Sequence, residues 1–155
     1  MANSENLNNS YLSFRLGNEI YAAHVSRTLK ILQLSEITKV PNAPKNMKGV
    51  INHHGNVLPV IDLNQTFGLD ETQKTTNTCI IILSVDRDNE QVNIGAIVDE
   101  VLHVDEINPE DISEAPSLGK ANSLDHLVGV YKKKNNFVMI LDIEKIFQDI
   151  VIEQV

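Results

Sequence analysis

Shifting the chain by 80 positions lays it onto itself without a gap. Gly49-Val50 falls on Gly129-Val130, Asn56 on Asn136, and Phe67 on Phe147. Val60-Ile61-Asp62-Leu63 falls on Ile140-Leu141-Asp142-Ile143. A weaker echo sets Ile20-Tyr21-Ala22 on Ile94-Gly95-Ala96. Self-similarity at a fixed spacing is the mark of one supersecondary unit used twice. Two unrelated hairpins, each followed by an Asp-capped helix, would share some of this, but the gapless run reads as duplication. The 155 residues then make two units, each a set of short strands, a hairpin and a capped helix. Neither unit is large enough for a sizeable core of its own, so the two should pack together and share one.

Local patterns fill in the units. Leu12, Phe14 and Leu16 alternate with Ser13 and Arg15, the pattern of a half-buried strand. Gly17-Asn18-Glu19 turns the chain, and a second strand runs from Ile20 to Val25. Thr28 to Leu34 is extended. Val50 to His53 and Val57 to Ile61 form a hairpin around Gly55-Asn56. Asp62 caps a short helix that Gly68 ends. Cys79-Ile80-Ile81-Ile82-Leu83 is rich enough in β-branched residues for a central strand. Val92 to Val98 and Val101 to Ile107 continue in extended form. A late hairpin, Val128 to Leu141, leads to a terminal helix capped by Asp142, with Ile143, Ile146, Phe147 and Ile150 on one stripe. Residues 1–9 hold little to bury and are expected to be a disordered leader, and the polar stretch 115–126 a mobile loop.

Several classes of function lack their residues. Lys and Arg number 13 against 21 Asp and Glu, a net charge of −8, which disfavours nucleic acid as a partner. No run approaches the ~18 apolar residues of a membrane-spanning helix, so no direct membrane insertion is expected. The polar start shows no signal peptide, and the cytoplasm is the expected compartment. Seven scattered glycines make no phosphate loop. Cys79, the single cysteine, sits in the most apolar strand and reads as a buried, inert thiol. His53 and His54, taken as neighbours on one strand, should point to opposite faces and not chelate one ion together. No metal site and no cofactor follow from the residues. Nine of the 21 acids lie between Arg87 and Lys120, where no Lys or Arg intervenes. Such a run reads as a solvated face, or as a docking surface for a basic partner. With no catalytic constellation, an interaction module is favoured over an enzyme.

Three stretches together resemble the CheW family of bacterial chemotaxis adaptors. They are Leu16 to Ala22, Ile37 to Leu63 with its segment Met47-Lys48-Gly49-Val50-Ile51-Asn52, and Ile94 to Val101, closed by Ile140-Leu141-Asp142-Ile143. The resemblance covers about residues 10–150 in order. It implies a mainly β fold, two five-stranded SH3-like β-barrel subdomains sharing a hydrophobic core, with short helices. The expected division is a single domain over 10–155. Its subdomains are near 20–85 and 86–140, with 10–19 and a helix at 143–151 completing them. It implies no enzymatic activity. The implied partners are the regulatory domain of a CheA-type histidine kinase and the cytoplasmic tip of a methyl-accepting chemoreceptor.

The chain departs from the family pattern at two linked positions. Where the family usually reads Asn-Leu-Arg-Gly, this chain has Asn52-His53-His54-Gly55, so the family's Arg falls on His54. Where the family commonly has Val-x-Glu-Ile, the chain reads Thr28-Leu29-Lys30-Ile31, so the Glu falls on Lys30. If the two are adjacent here, Lys30 should lower the pKa of His54. The departure reads either as a changed partner, one offering an acid opposite Lys30, or as neutral drift at an exposed pair worth ~0–1 kcal/mol. The expected partner-binding residues are Thr28, Lys30, Ile31, Asn52 and His54 on one face, with Val98 and Val101 lining a groove between the barrels. An adaptor of a non-chemotaxis chemosensory system, such as pilus motility, and a small-molecule or metal-binding module remain the alternatives.

Overall fold

A computed structural model describes residues 9–43, 47–114 and 127–149. The expected leader before Asn9, the expected loop at 115–126 and Ile150 of the helical stripe lie outside the described residues. The strands are β1 (Ser10–Leu16), β2 (Glu19–His24), β3 (Thr28–Gln33), β4 (Met47–His53), β5 (Asn56–Asp62), β6 (Cys79–Arg87), β7 (Glu90–Val98), β8 (Glu100–Glu106), β9 (Ile112–Ser113), β10 (Leu127–Lys133) and β11 (Asn136–Leu141). Two short helices, α1 (Leu63–Thr66) and α2 (Ile143–Asp149), follow β5 and β11.

The strands form two sheets. One has five strands in the order β3-β6-β7-β5-β4, and the other six in the order β8-β1-β2-β11-β10-β9. The repeat is visible in the pairing. The hairpins β4–β5 and β10–β11 carry the same register shift, between Met47 and Gly49 in one and between Leu127 and Gly129 in the other. The second strand of each hairpin pairs in parallel with a strand of an antiparallel hairpin, β5 with β7 and β11 with β2. Val60 lies opposite Gly95, and Ile140 opposite Ala22. Ala22 is therefore the counterpart of Gly95, and the weak echo noted in the sequence runs one residue out of the structural register.

Glycine at 49 and 129 has one cause. A Cβ on Gly49 would stand 2.2 Å from the Thr38 carbonyl oxygen, and one on Gly129 would stand 2.3 Å from that of Ser113. Each bulged strand thus lies against a second backbone with no room for a side-chain atom. Thr38 and Val50 exchange two hydrogen bonds there, at 2.9 and 2.8 Å. Ser113 pairs with Val130, the residue 80 positions beyond Val50.

The chain divides between the sheets at residues 24–28 and 98–100. The boundary expected at 85 and 86 falls inside β6, whose antiparallel pairing with β7 continues to Arg87 and Glu90. β1 and β2 join the sheet built by the second half of the chain. Period-two alternation then assigns side chains to three cores. On β6, Ile80 and Ile82 turn into the first barrel with Ile51, Leu58, Val60 and Ile97, while Ile81, Leu83 and Val85 turn the other way. These meet Leu12, Phe14 and Leu16 of β1 and Ile143, Ile146 and Phe147 of α2 in a core shared by both barrels. A smaller cluster, Ala22, Ile107, Val138 and Ile140, fills the second barrel. Because β6 is buried on both faces, it shows a continuous apolar run rather than alternation.

A polar joint fixes the barrels to each other. The Asp99 carboxylate accepts from Gly17 N at 2.7 Å and from Asn64 Nδ2 at 2.9 Å. Asp99 N donates to the Arg15 carbonyl at 3.1 Å. Asn64 Nδ2 also reaches Thr72 Oγ1 at 2.7 Å, and Thr72 donates through N and Oγ1 to the buried Asp62 carboxylate at 2.9 and 2.7 Å. Asp62 also caps α1, accepting from Asn64 N at 3.0 Å. One chain of bonds therefore runs from the first hairpin's helix to the β1–β2 turn of the other sheet.

Candidate docking surfaces

The first surface lies where the edge strand β3 meets the β4–β5 hairpin. A hollow of about 740 Å³ opens there, lined by Lys30, His53, His54, Leu29, Val57 and Asn93 among others. The sequence shapes it in three steps. Asn52 Oδ1 accepts from Gly55 N at 3.0 Å, closing a tight turn. His54 and Gly55 form that turn at positive φ, 53° and 82°. On β3 a register shift between Thr28 and Lys30 interrupts the pairing with β6 at Leu29. The result is an exposed apolar pair, Leu29 at 50% and Val57 at 67%, in one hollow with the basic Lys30, His53 and His54.

The two imidazoles do not diverge. His54 is a turn residue at φ 53°, not a strand residue, so the alternation argument does not apply to it. The ring centroids of His53 and His54 lie 4.1 Å apart. Burial, then His54, then Lys30 hold the His53 pKa below the usual histidine value. Lys30 therefore acts on His53, the neighbour of the position that the sequence singled out. Lys30 makes no ion pair among the described residues. Its charge opposes a cation at the histidine pair, and no cluster of three or more His, Cys, Asp or Glu suited to a metal occurs among the described residues.

The other expected site residues divide clearly. Thr28 Oγ1 donates to the Val25 carbonyl at 3.1 Å, and Asn52 Oδ1 holds its turn, so both shape the surface locally. Ile31 is 46% exposed and, one residue from Lys30 on a strand, faces the opposite side of β3. Val98 is 0% exposed within the shared core and offers nothing to a partner, because β7 is covered on both faces. Val101 is half-buried and packs against the same core.

The second surface had no place among the expected residues. A hollow of about 950 Å³ on the β10–β11 hairpin is lined by Tyr21, Val130, Tyr131, Phe137 and Met139, rimmed by Glu19, Asp111 and Glu114 with Lys132. Phe137 is 56% exposed. It stands 80 positions beyond Val57, at the same place in the repeat, so the sequence shift would have paired the two. Burial and Glu19 raise the Tyr21 pKa. The acid run of the sequence is not one patch. Asp99 belongs to the joint, Glu100 lies 3.5 Å from Arg15, and Asp105 lies 3.0 Å from Lys133, while Asp111 and Glu114 reach the Phe137 hollow.

A third hollow, of about 690 Å³, holds Lys39, Lys48 and Lys74 around Glu71. The hydrogen bond from Lys48 leads in holding the Glu71 pKa below the usual carboxylate value. Cys79 is partly buried, and burial raises its thiol pKa, as an unreactive cysteine requires. Among the described residues no helix is long and apolar enough to cross a membrane.

Comparison with known proteins fits this architecture. The chain is 30% identical over 142 residues to the chemotaxis protein CheW of Klebsiella aerogenes, covering 92% of this chain and 83% of that one. It is 31% identical over 139 residues to CheW of Helicobacter pylori, covering 89% and 81%. The crystal structure of the scaffolding protein TtCheW from Thermoanaerobacter tengcongensis matches with a TM-score of 0.77 at 27% identity, covering 90% of this chain and 87% of that one. The fold is thus mainly β, two SH3-like subdomains around a shared core with a few short helices. The model of the CheW-like domain matches residues 10–151, and the chain belongs to that family.

Proposed function

We propose that this chain is a non-catalytic coupling adaptor of a chemosensory array. It ties the cytoplasmic tip of a methyl-accepting chemoreceptor to the regulatory domain of a CheA-type histidine kinase, in the cytoplasm at the inner face of the membrane. One observation carries the reading beyond family membership. Val57 and Phe137 occupy the same place in the two repeats, both exposed, each beside its own hollow on its own sheet. An exposed apolar side chain alone is unremarkable. Two at equivalent positions on one rigid body give two separate docking points, which a coupler needs and a one-partner module does not. Coupling then works through geometry. Holding receptor and kinase on one body makes their encounter intramolecular and raises its effective concentration.

Lys30 and His54 supply selectivity at the first surface in this reading, with Leu29 and Val57 supplying burial there, and the exposed Ile31 offers an apolar contact on the other side of β3. Thr28 and Asn52 hold the backbone that presents them, and the unit comprises both subdomains within 10–155. The experiment is calorimetric titration of the V57D and F137D variants with each partner fragment. Each variant should weaken a different partner by about tenfold or more, the effect of charging a central apolar contact. Loss of neither partner from either variant would overturn the reading.

A further inference from the structure

We propose that the hollow between β3 and the β4–β5 hairpin receives an acidic segment of an array partner, and that this docking tightens as the pH falls from 8 to 6. The inference rests on the adaptor reading and names the chemistry of the partner at its first surface. The chain as a whole carries −8, yet the hollow carries only basic ionisable groups. β3 contributes Lys30, β4 ends in His53, and the turn contributes His54. The facing elements bring no charge of either sign. β5 lines the hollow with Asn56 to Pro59, β6 with Ile82, and β7 with Gln91, Val92 and Asn93. An acidic segment would thus meet no carboxylate on any wall.

One further feature describes the occupant. Leu29 and Val57 are both exposed at the rim, so an apolar side chain flanked by carboxylates fits better than a free anion. The opposite choice of partner is disfavoured, because a basic segment would face Lys30 and both imidazoles.

The pH response follows from the two rings. A partner carboxylate beside an imidazole favours its charged form and raises its pKa in the complex. Binding then takes up protons. The added affinity is fully present below the free-state pKa values and is lost as the pH rises through those of the complex. It disappears again near pH 4, where the partner's own carboxylates protonate.

The test is calorimetric titration of the full chain with the kinase regulatory domain and, separately, with the receptor tip. Each titration is run at pH 8 and pH 6 in two buffers of different ionisation enthalpy. The partner that uses this hollow should bind about tenfold tighter at pH 6 and take up about one to two protons. The double variant H53Q/H54N should lose both the uptake and the pH dependence, with asparagine chosen for its tolerance of positive φ. K30Q should weaken the same partner at both pH values. H103Q, on the other sheet, should keep the parental pH response. Equal affinity at the two pH values without proton uptake, from a partner that binds, overturns the proposal and leaves the adaptor reading intact. Uptake that persists in H53Q/H54N overturns it too. Binding of neither partner by the folded protein at either pH removes the adaptor reading and the proposal together.

Discussion

Replacing Gly49 or Gly129 by alanine tests the account of the repeat, because the structure gives each glycine the same task. A Cβ at 49 would stand 2.2 Å from Thr38 O and 2.8 Å from Ile37 Cγ2. At 129 it would stand 2.3 Å from Ser113 O and 2.6 Å from Ile112 Cγ2. A relaxed C···O contact needs about 3.3 Å, so the carbonyl must retreat by about 1 Å. The Thr38–Val50 hydrogen bonds of 2.9 and 2.8 Å cannot survive that displacement. Two lost backbone bonds cost about 1–3 kcal/mol net. Gly49 also sits at φ 151°, which adds about 1–3 kcal/mol for an L-residue. G49A should therefore cost about 2–6 kcal/mol and G129A about 1–3. At about 2–4 °C per kcal/mol for a chain of this size, G49A lowers the melting midpoint by roughly 4–24 °C. G55A is the comparison. Gly55 has φ 82° but no atom within 4 Å of its would-be Cβ, so only the backbone penalty of about 1–2 kcal/mol applies. Urea unfolding followed by circular dichroism measures all three. If G49A and G129A both cost no more than G55A, the close approach does not constrain the fold and the reasoning fails.

Three other outcomes are expected. Replacing Asn64 by leucine removes the donor to Asp99 and Thr72 inside the joint, and should cost about 2–4 kcal/mol in urea unfolding; a loss below about 0.5 kcal/mol would mean the joint does not hold the barrels. The His53 imidazole, followed by NMR, should titrate below the usual histidine value in the parent and move upward in K30Q. With the folded pKa depressed, the unfolded chain binds more protons between the two values, so His53 makes the protein less stable as pH falls through that window; an unmoved midpoint in K30Q would separate Lys30 from His53. The Glu71 carboxyl should titrate below the usual value and return toward it in K48M, since the Lys48 hydrogen bond is the leading cause of its shift. Its contribution is present above the unfolded pKa and lost as pH falls through the folded one.

Much of the fold was legible because its signals are local. Leu12, Phe14 and Leu16 alternate, and all three are buried. Asp62 and Asp142 stand just before helices and accept from Asn64 N and Lys145 N. The 80-residue shift located both hairpins and the glycines that permit their bulges. What the sequence did not disclose depends on distant partners. No local pattern says that β1 and β2 pair with the second half, because strand pairing is set by the closing of the whole chain. Val98 looked like a groove residue because an apolar run on a strand covered on both faces does not say which layer each residue enters. His54 defied alternation because one positive φ removes a residue from the period of a strand. The joint of Gly17, Asn64 and Asp99 joins three positions far apart, with no sequence signal beyond the Asp62 cap beside it.

At the candidate site, Lys30 and His54 were named from their departure from the family pattern, and both line the same hollow. Leu29 on an edge strand and Val57 and Phe137 on hairpins carry no such signal, because an exposed apolar residue looks like any other strand residue until burial is known.

The central claim is that one small rigid body holds two partners at once. The most direct test is analytical ultracentrifugation of the full chain with the kinase regulatory domain and the receptor tip, each separately labelled. A species containing all three, present only when this chain is added and lost in both V57D and F137D, is the expected result. Mutually exclusive binding of kinase domain and receptor tip, with no three-component species at any concentration, would contradict the coupling account.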